Sequence, residues 1–257
     1  NEPVTELNAQ ERADRIQRVS RIIALLQKSG APRLDEQQRR DLEDFLLDPQ
    51  RVEGVSDFPP AREYAVVHEV MALLRQTSDP AGDFARLLTE VFDDVRQTAV
   101  VRDYALQHLG EWYDRASSRE AVEQVLWRAT DERGATMAGT ALLALHRQVL
   151  PRDDRMRTRL SDACHRVVVD ARASTAERVT ALRLGAQLGN RELLPLAREW
   201  IQQSADPMMQ LAAIGALGEL GDVRDIPLVQ ELKEHPRLKM AVTASLRRLE
   251  RKGAKPL

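Results

Sequence analysis

The sequence predicts an all-α protein, a right-handed α-α superhelix of about five helical hairpins closed by a single C-terminal helix. Three observations predict it. The stretch TALRLGAQLGNRELLPLAREW (180–200) is repeated in register thirty-two residues later as AAIGALGELGDVRDIPLVQEL (212–232). Apolar residues recur at helical spacing along most of the chain. Strand signals are nearly absent, with few alternating β-branched runs and no Asn-Gly hairpin turn.

The second copy shows the unit most clearly. Met209, Ala212, Ala213, Ala216, Leu217 and Leu220 fall on one helical face. Gly221 is expected to end that helix by taking a left-handed turn. Asp222 or Asp225 can cap the next helix, and Pro227 suits its first turn, where a missing N–H costs little. Ile226, Val229 and Leu232 supply that helix's apolar face. In the first copy Ala181, Leu188, Gly189, Asn190, Pro195, Leu196 and Glu199 fall on Ala213, Leu220, Gly221, Asp222, Pro227, Leu228 and Glu231. Two amphipathic helices share apolar positions by chance; they do not share the stop, the cap and the proline as well.

Similar units are legible elsewhere. Residues 100–129 read as a helix, a turn capped near Ser118 and a second helix. Residues 136–171 repeat this with Pro151 in the turn. Residues 60–78 and 80–95 form another pair, and 239–253 a last helix without a partner. The whole of 1–257 is expected to be one solenoid domain. Residues 1–60 are its atypical N-terminal cap, and 100–253 hold the clearest repeats. A period of about 30 to 40 residues with one hairpin per period marks such folds. Gly185, Gly215 and Gly218 are expected to let helices approach closely, against a propensity cost of about 1 kcal/mol each.

The segment ALGELGDVRDIPLVQEL resembles the HEAT-like repeat, in particular the short subtype of phycobilisome lyases. The likeness is close over about 175–250 and weakens toward residue 100. It implies a scaffold whose second helices line a concave side.

Net charge is near −2 and the pI about 6.3. A nucleic-acid grip usually shows a basic excess, so nucleic acid is not the expected partner. DNA glycosylases built on HEAT-like repeats use tryptophans in a basic groove; Trp112, Trp127 and Trp200 are read here as packing residues. Cys164 is the one cysteine, which excludes an internal disulfide. It shares a helical face with Met156, Leu160, Val167 and Ala171 and reads as a small core residue, with His165 badly placed as its base.

Deoxyhypusine hydroxylases, an enzyme family on this fold, hold iron with several His-Glu pairs. This chain has one, His68-Glu69, too few for such a site. His108 and Glu111, one turn apart, read as a surface pair. No catalytic residue, metal or cofactor is expected. The longest apolar stretch is far short of the roughly 20 residues a membrane helix needs. The chain begins at Asn1, for which a removed leader and a shortened start are both open, as are a cytoplasmic and an exported location.

The expected binding surface is a stripe of arginines. Arg155, Arg159 and Arg166 fall at i, i+4 and i+11 beside an apolar face, with Asp162 between them; arginine forks suit carboxylates and phosphates. Arg198 and Gln202 in the next unit, and Gln230 and Lys233 after it, extend the same side. The segment DPQRVEGVSDFPPA (48–61), with three prolines and a glycine, is either a surface connection or a binding loop. The expected function is a non-enzymatic scaffold that binds a protein partner along its concave side. The alternatives are an enzyme or enzyme subunit, lyase-like or DNA-directed, and a structural element of a bacterial envelope complex.

Overall fold

The structure, a computed structural model, describes residues 7–29, 33–55, 59–79 and 84–254. Among the described residues there are thirteen α-helices and no strand. In chain order they make six successive pairs and one last helix, the first pair being the expected N-terminal cap. The chain divides into two compact units, Asn1–Val125 and Leu126–Leu257.

The first unit holds α1 (Ala9–Ser29), α2 (Glu36–Leu47), α3 (Pro60–Thr77), α4 (Phe84–Asp93) and α5 (Ala99–Trp112). Its core gathers Val19, Leu42, Phe45, Leu46, Val67, Met71, Leu74, Leu88, Phe92, Leu106 and Trp112. Asp35 starts α2 with a reciprocal capping box to Gln38, and Pro60 occupies the first turn of α3. Residues 56–58 of the proline-rich segment lie outside the described residues. Its earlier part is not a bare surface connection, because Arg51 turns inward and is 1% exposed. The Arg51 guanidinium donates to Glu63 at 2.7 Å, to the carbonyls of Phe45 at 3.0 Å and Leu46 at 3.2 Å, and to Gln97. One buried fork thus ties the end of α2 to the start of α3 and to the turn before α5.

A sixth helix, α6 (Arg119–Ala129), runs across the boundary and starts beside Ser118, whose hydroxyl accepts from the Ala121 N–H at 3.2 Å. The second unit continues with α7 (Met137–Ala144), α8 (Met156–Val169), α9 (Thr175–Gln187), α10 (Leu194–Gln203), α11 (Pro207–Leu220), α12 (Ile226–Gln230) and α13 (Lys239–Gly253). The first helices α7, α9, α11 and α13 pack each on the next. The second helices α8, α10 and α12 each pack on the first helix that follows.

The two in-register copies fold alike. Each runs through a first helix, a stop, a short 3-10 turn (Arg191–Leu193 or Val223–Asp225) and a second helix with its proline in the first turn. Asn190 and Asp222 accept the Glu192 and Arg224 N–H groups at 3.1 and 3.0 Å. The stop glycines differ in their physics. Gly189 takes the left-handed conformation, φ 83°. Gly221 does not: its φ is −72°, and glycine is needed there because a Cβ would lie 2.5 Å from the Asp225 carboxylate and 2.6 Å from the Leu217 carbonyl.

Close helix approach is likewise selective. A Cβ on Gly218 would lie 2.8 Å from Ser245 Oγ, where α11 meets α13, and one on Gly185 would strike Leu193. Gly215, expected to act the same way, has nothing within 4 Å of that point. It sits on an open face.

Candidate functional site

The seven residues expected to form a docking surface lie on the second helices or at their ends, and most of their charges are already engaged. Arg155 is the N-cap of α8, one position before the helix begins, and its guanidinium folds back onto Asp153 at 2.8 and 3.0 Å. Arg159 lies over the Trp127 ring, 3.9 Å from its centroid, a cation–π contact that covers the indole. Arg166 faces Asp131 at 3.7 Å. The structure therefore spreads the three arginines over three anchors.

Arg198 makes a two-pronged pair with Asp225 at 2.7 and 3.2 Å, from α10 to the 3-10 turn of the next hairpin. Asp225 is 3% exposed and also accepts the Asp222 N–H at 3.1 Å, so Arg198 compensates a buried carboxylate. Gln202, Gln230 and Lys233 are exposed. Asp162 is exposed as well.

One local device, an Asp-x-Arg clip with no counterpart among the expected site residues, forms four times. Asp94-Val95-Arg96, Asp153-Asp154-Arg155, Asp170-Ala171-Arg172 and Asp222-Val223-Arg224 each fold so that the aspartate accepts from the arginine's own N–H and from its guanidinium fork. The twelve bonds lie between 2.7 and 3.2 Å. The arginine fork beside each aspartate holds its carboxyl below the usual range. These clips fix turns between helices and use up much of the surface charge. Asp131-Glu132-Arg133 has the same spelling but another fate, with Arg133 reaching Asp170 at 2.8 Å.

Cys164 is fully buried, as expected, and burial pushes its thiol up to about 12. Such a thiol is no nucleophile near neutral pH. Trp112 and Trp127 are core residues, whereas Trp200 and its counterpart Leu232 are half-buried.

The expected surface pair of His108 and Glu111 is not one. Glu111 pairs with Arg75, while His108 is 2% exposed with neither ring nitrogen hydrogen-bonded. The His108 ring centroid lies 5.1 Å from that of His68, which itself tilts over Tyr104. No group of three or more His, Cys, Asp or Glu among the described residues is placed to hold a metal.

Burial, with Arg75 and His68 nearby, lowers His108 from 6.5 to about 3. Below pH 6.5 the unfolded chain takes up a proton that the folded ring refuses, so stability is lost as pH falls from 6.5 toward 3. The loss approaches about 1.4 kcal/mol per pH unit. Urea unfolding of the first unit at pH 7 and pH 5 is expected to show a smaller acid-induced drop in His108→Phe than in the unsubstituted chain. Equal drops would remove His108 from the acid response.

Residues 167–247, from the end of α8 into α13, match the family of HEAT repeats. That stretch contains both in-register copies. No curated protein and no solved structure matches the chain. No helix among the described residues is long and apolar enough to cross a membrane.

Proposed function

We propose that this chain is a non-enzymatic scaffold that docks a protein partner on its stacked hairpins. HEAT repeats are generally protein-interaction scaffolds. The observation that carries the reading is the pair of like-folded units inside the matched stretch. Their two helix layers offer long exposed faces. The phycobilisome-lyase-type subtype is part of the same reading, supported by Leu220-Gly221-Asp222 and the first-turn Pro227.

The second-helix side is one docking surface in this proposal. Arg155, Arg159, Arg166 and Arg198 are its charged members, and Gln202, Gln230 and Lys233 its adaptable polar ones. Arg155 and Arg166, whose aspartate pairs lie at the surface, can exchange those aspartates for a partner's carboxylate at little cost, because surface pairs are worth only about 0–1 kcal/mol. The test is isolation of the tagged chain from its native cell beside a folded Arg159→Glu/Arg166→Glu variant. A protein that accompanies the first in fixed ratio and is missing from the second is the expected result. A partner retained by both would remove this side from the proposal, and no accompanying protein at all would remove the scaffold reading.

A further inference from the structure

The first-helix layer of the second unit has a different electrostatic character. In α9, Ala176, Thr180, Arg183 and Gln187 form one outward stripe. In α11 the stripe is Met208, Leu211, Gly215 and Glu219, and in α13 it is Met240, Ala244, Arg247 and Arg251. The thirty-two-residue repeat sets these in rows across the layer: Ala176, Met208 and Met240 in one, and Arg183, Gly215 and Arg247 in another. Beyond α7 a π-turn, Leu145–Val149, carries exposed Arg147.

Unlike the arginines of the second-helix side, Arg147, Arg183, Arg247 and Arg251 are exposed with no hydrogen bond or ion pair among the described residues. Carboxylates are scarce here. Glu177 is buried, Glu219 is held by Arg248 at 2.6 Å, and Glu250 is the remaining one. A protein of net charge near −2 therefore concentrates unneutralised positive charge on one helix layer. Apolar side chains accompany it: Met208 is 55% exposed, Leu211 37% and Met240 89%.

We propose that this first-helix face docks an acidic amphipathic helix of a partner protein, a proposal that rests on the scaffold reading and names the partner's chemistry. Free arginine forks bind carboxylates in two-pronged fashion. Arginine and methionine beside one another are typical of protein interfaces. A nucleic acid would leave the methionines uncovered and would find no aromatic on the stripes to stack a base.

The spacing supports a helix lying across the layer. Neighbouring packed helices stand about 8–10 Å apart, and two turns of a crossing helix advance about 10.8 Å. Acidic residues about fourteen positions apart on the partner then meet Arg183 and Arg247. An apolar residue midway enters the open space over Gly215, against Leu211.

The test uses a labelled synthetic helix of about 21 residues with two glutamates flanking a central leucine at that spacing. The full chain is expected to bind it, and Arg183→Glu/Arg247→Glu to weaken binding at least tenfold with an unchanged urea midpoint. Gly215→Leu, which fills the open space, is expected to weaken it as well. Arg159→Glu/Arg166→Glu is expected to bind like the unsubstituted chain. No binding, or binding indifferent to Arg183 and Arg247, overturns the proposal. So does tighter binding of a short DNA duplex or of phosphatidylglycerol vesicles with the same dependence on these arginines. A native partner still captured while the acidic helix is ignored would sink this inference and leave the scaffold reading standing.

Discussion

Replacing Arg51 with methionine is expected to destabilise the first unit by about 3–5 kcal/mol, the range for breaking a buried ion pair from one side. Methionine fills much of the same volume, so a cavity contributes little. The cost comes from what is left behind. Glu63 is 7% exposed and loses the guanidinium 2.7 Å away, and the carbonyls of Phe45 and Leu46 lose a donor. Gln97 still donates to Leu46 at 3.0 Å, so that carbonyl is not orphaned. Urea unfolding followed by circular dichroism reads the change as a midpoint lowered by about 1–5 M, given slopes of about 1–3 kcal/mol per M for small domains. In Arg51→Met/Glu63→Leu, with both charges gone, much of the stability is expected to return. A single variant that unfolds like the unsubstituted chain would show that the fork does not hold the unit together.

The second large effect is expected at Glu177, whose side chain is fully buried between two helix starts. One oxygen accepts the Ala138 N–H in the first turn of α7 at 3.2 Å. The other accepts the Ser174 N–H at 2.8 Å and its hydroxyl at 3.0 Å, completing the capping box of α9. A carboxylate between two helix N-termini is favoured by both dipoles. Glu177→Ala strands two N–H groups away from water, at about 1–3 kcal/mol each. A loss of about 2–6 kcal/mol in the second unit follows, with faster hydrogen exchange at Ala138 and Ser174. Glu177→Gln keeps an acceptor and should lose less. Slow exchange at both amides in the alanine variant would contradict this account of how consecutive hairpins are joined.

What could be seen in the sequence depended on whether the interaction is local. The caps at Asn190 and Asp222 and the prolines at 195 and 227 act within a few residues, and the thirty-two-residue repeat exposes them directly. Arg51 is hidden because it lies in a segment whose prolines and glycine suggest a surface connection or a binding loop, and its partner Gln97 is 46 residues away. Arg198 looked free because Asp225, 27 residues on, reaches it only once hairpins stack. His108 looked exposed because a one-turn spacing to Glu111 does not tell which side of α5 is covered. Gly215 was grouped with Gly218 on composition, yet it continues the outward stripe of Met208 and Leu211, a register the sequence already contained. The arginine patch of α8 rests on spacing alone, which does not show that Asp131, Asp153 and the Trp127 ring already engage those side chains.

The measurement that bears most directly on the stacking of like units is a pair of spin-label distances across the first-helix layer. One pair joins Ala176→Cys to Met240→Cys, the other Arg183→Cys to Arg247→Cys; native Cys164 is fully buried and does not compete for label. Both span two helix-to-helix steps, roughly 16–20 Å between backbones, and the account predicts that the two distance distributions coincide near that value, widened only by the label arms. Distributions that differ by more than about one such step, or that both lie far beyond it, would contradict an in-register stack of α9, α11 and α13.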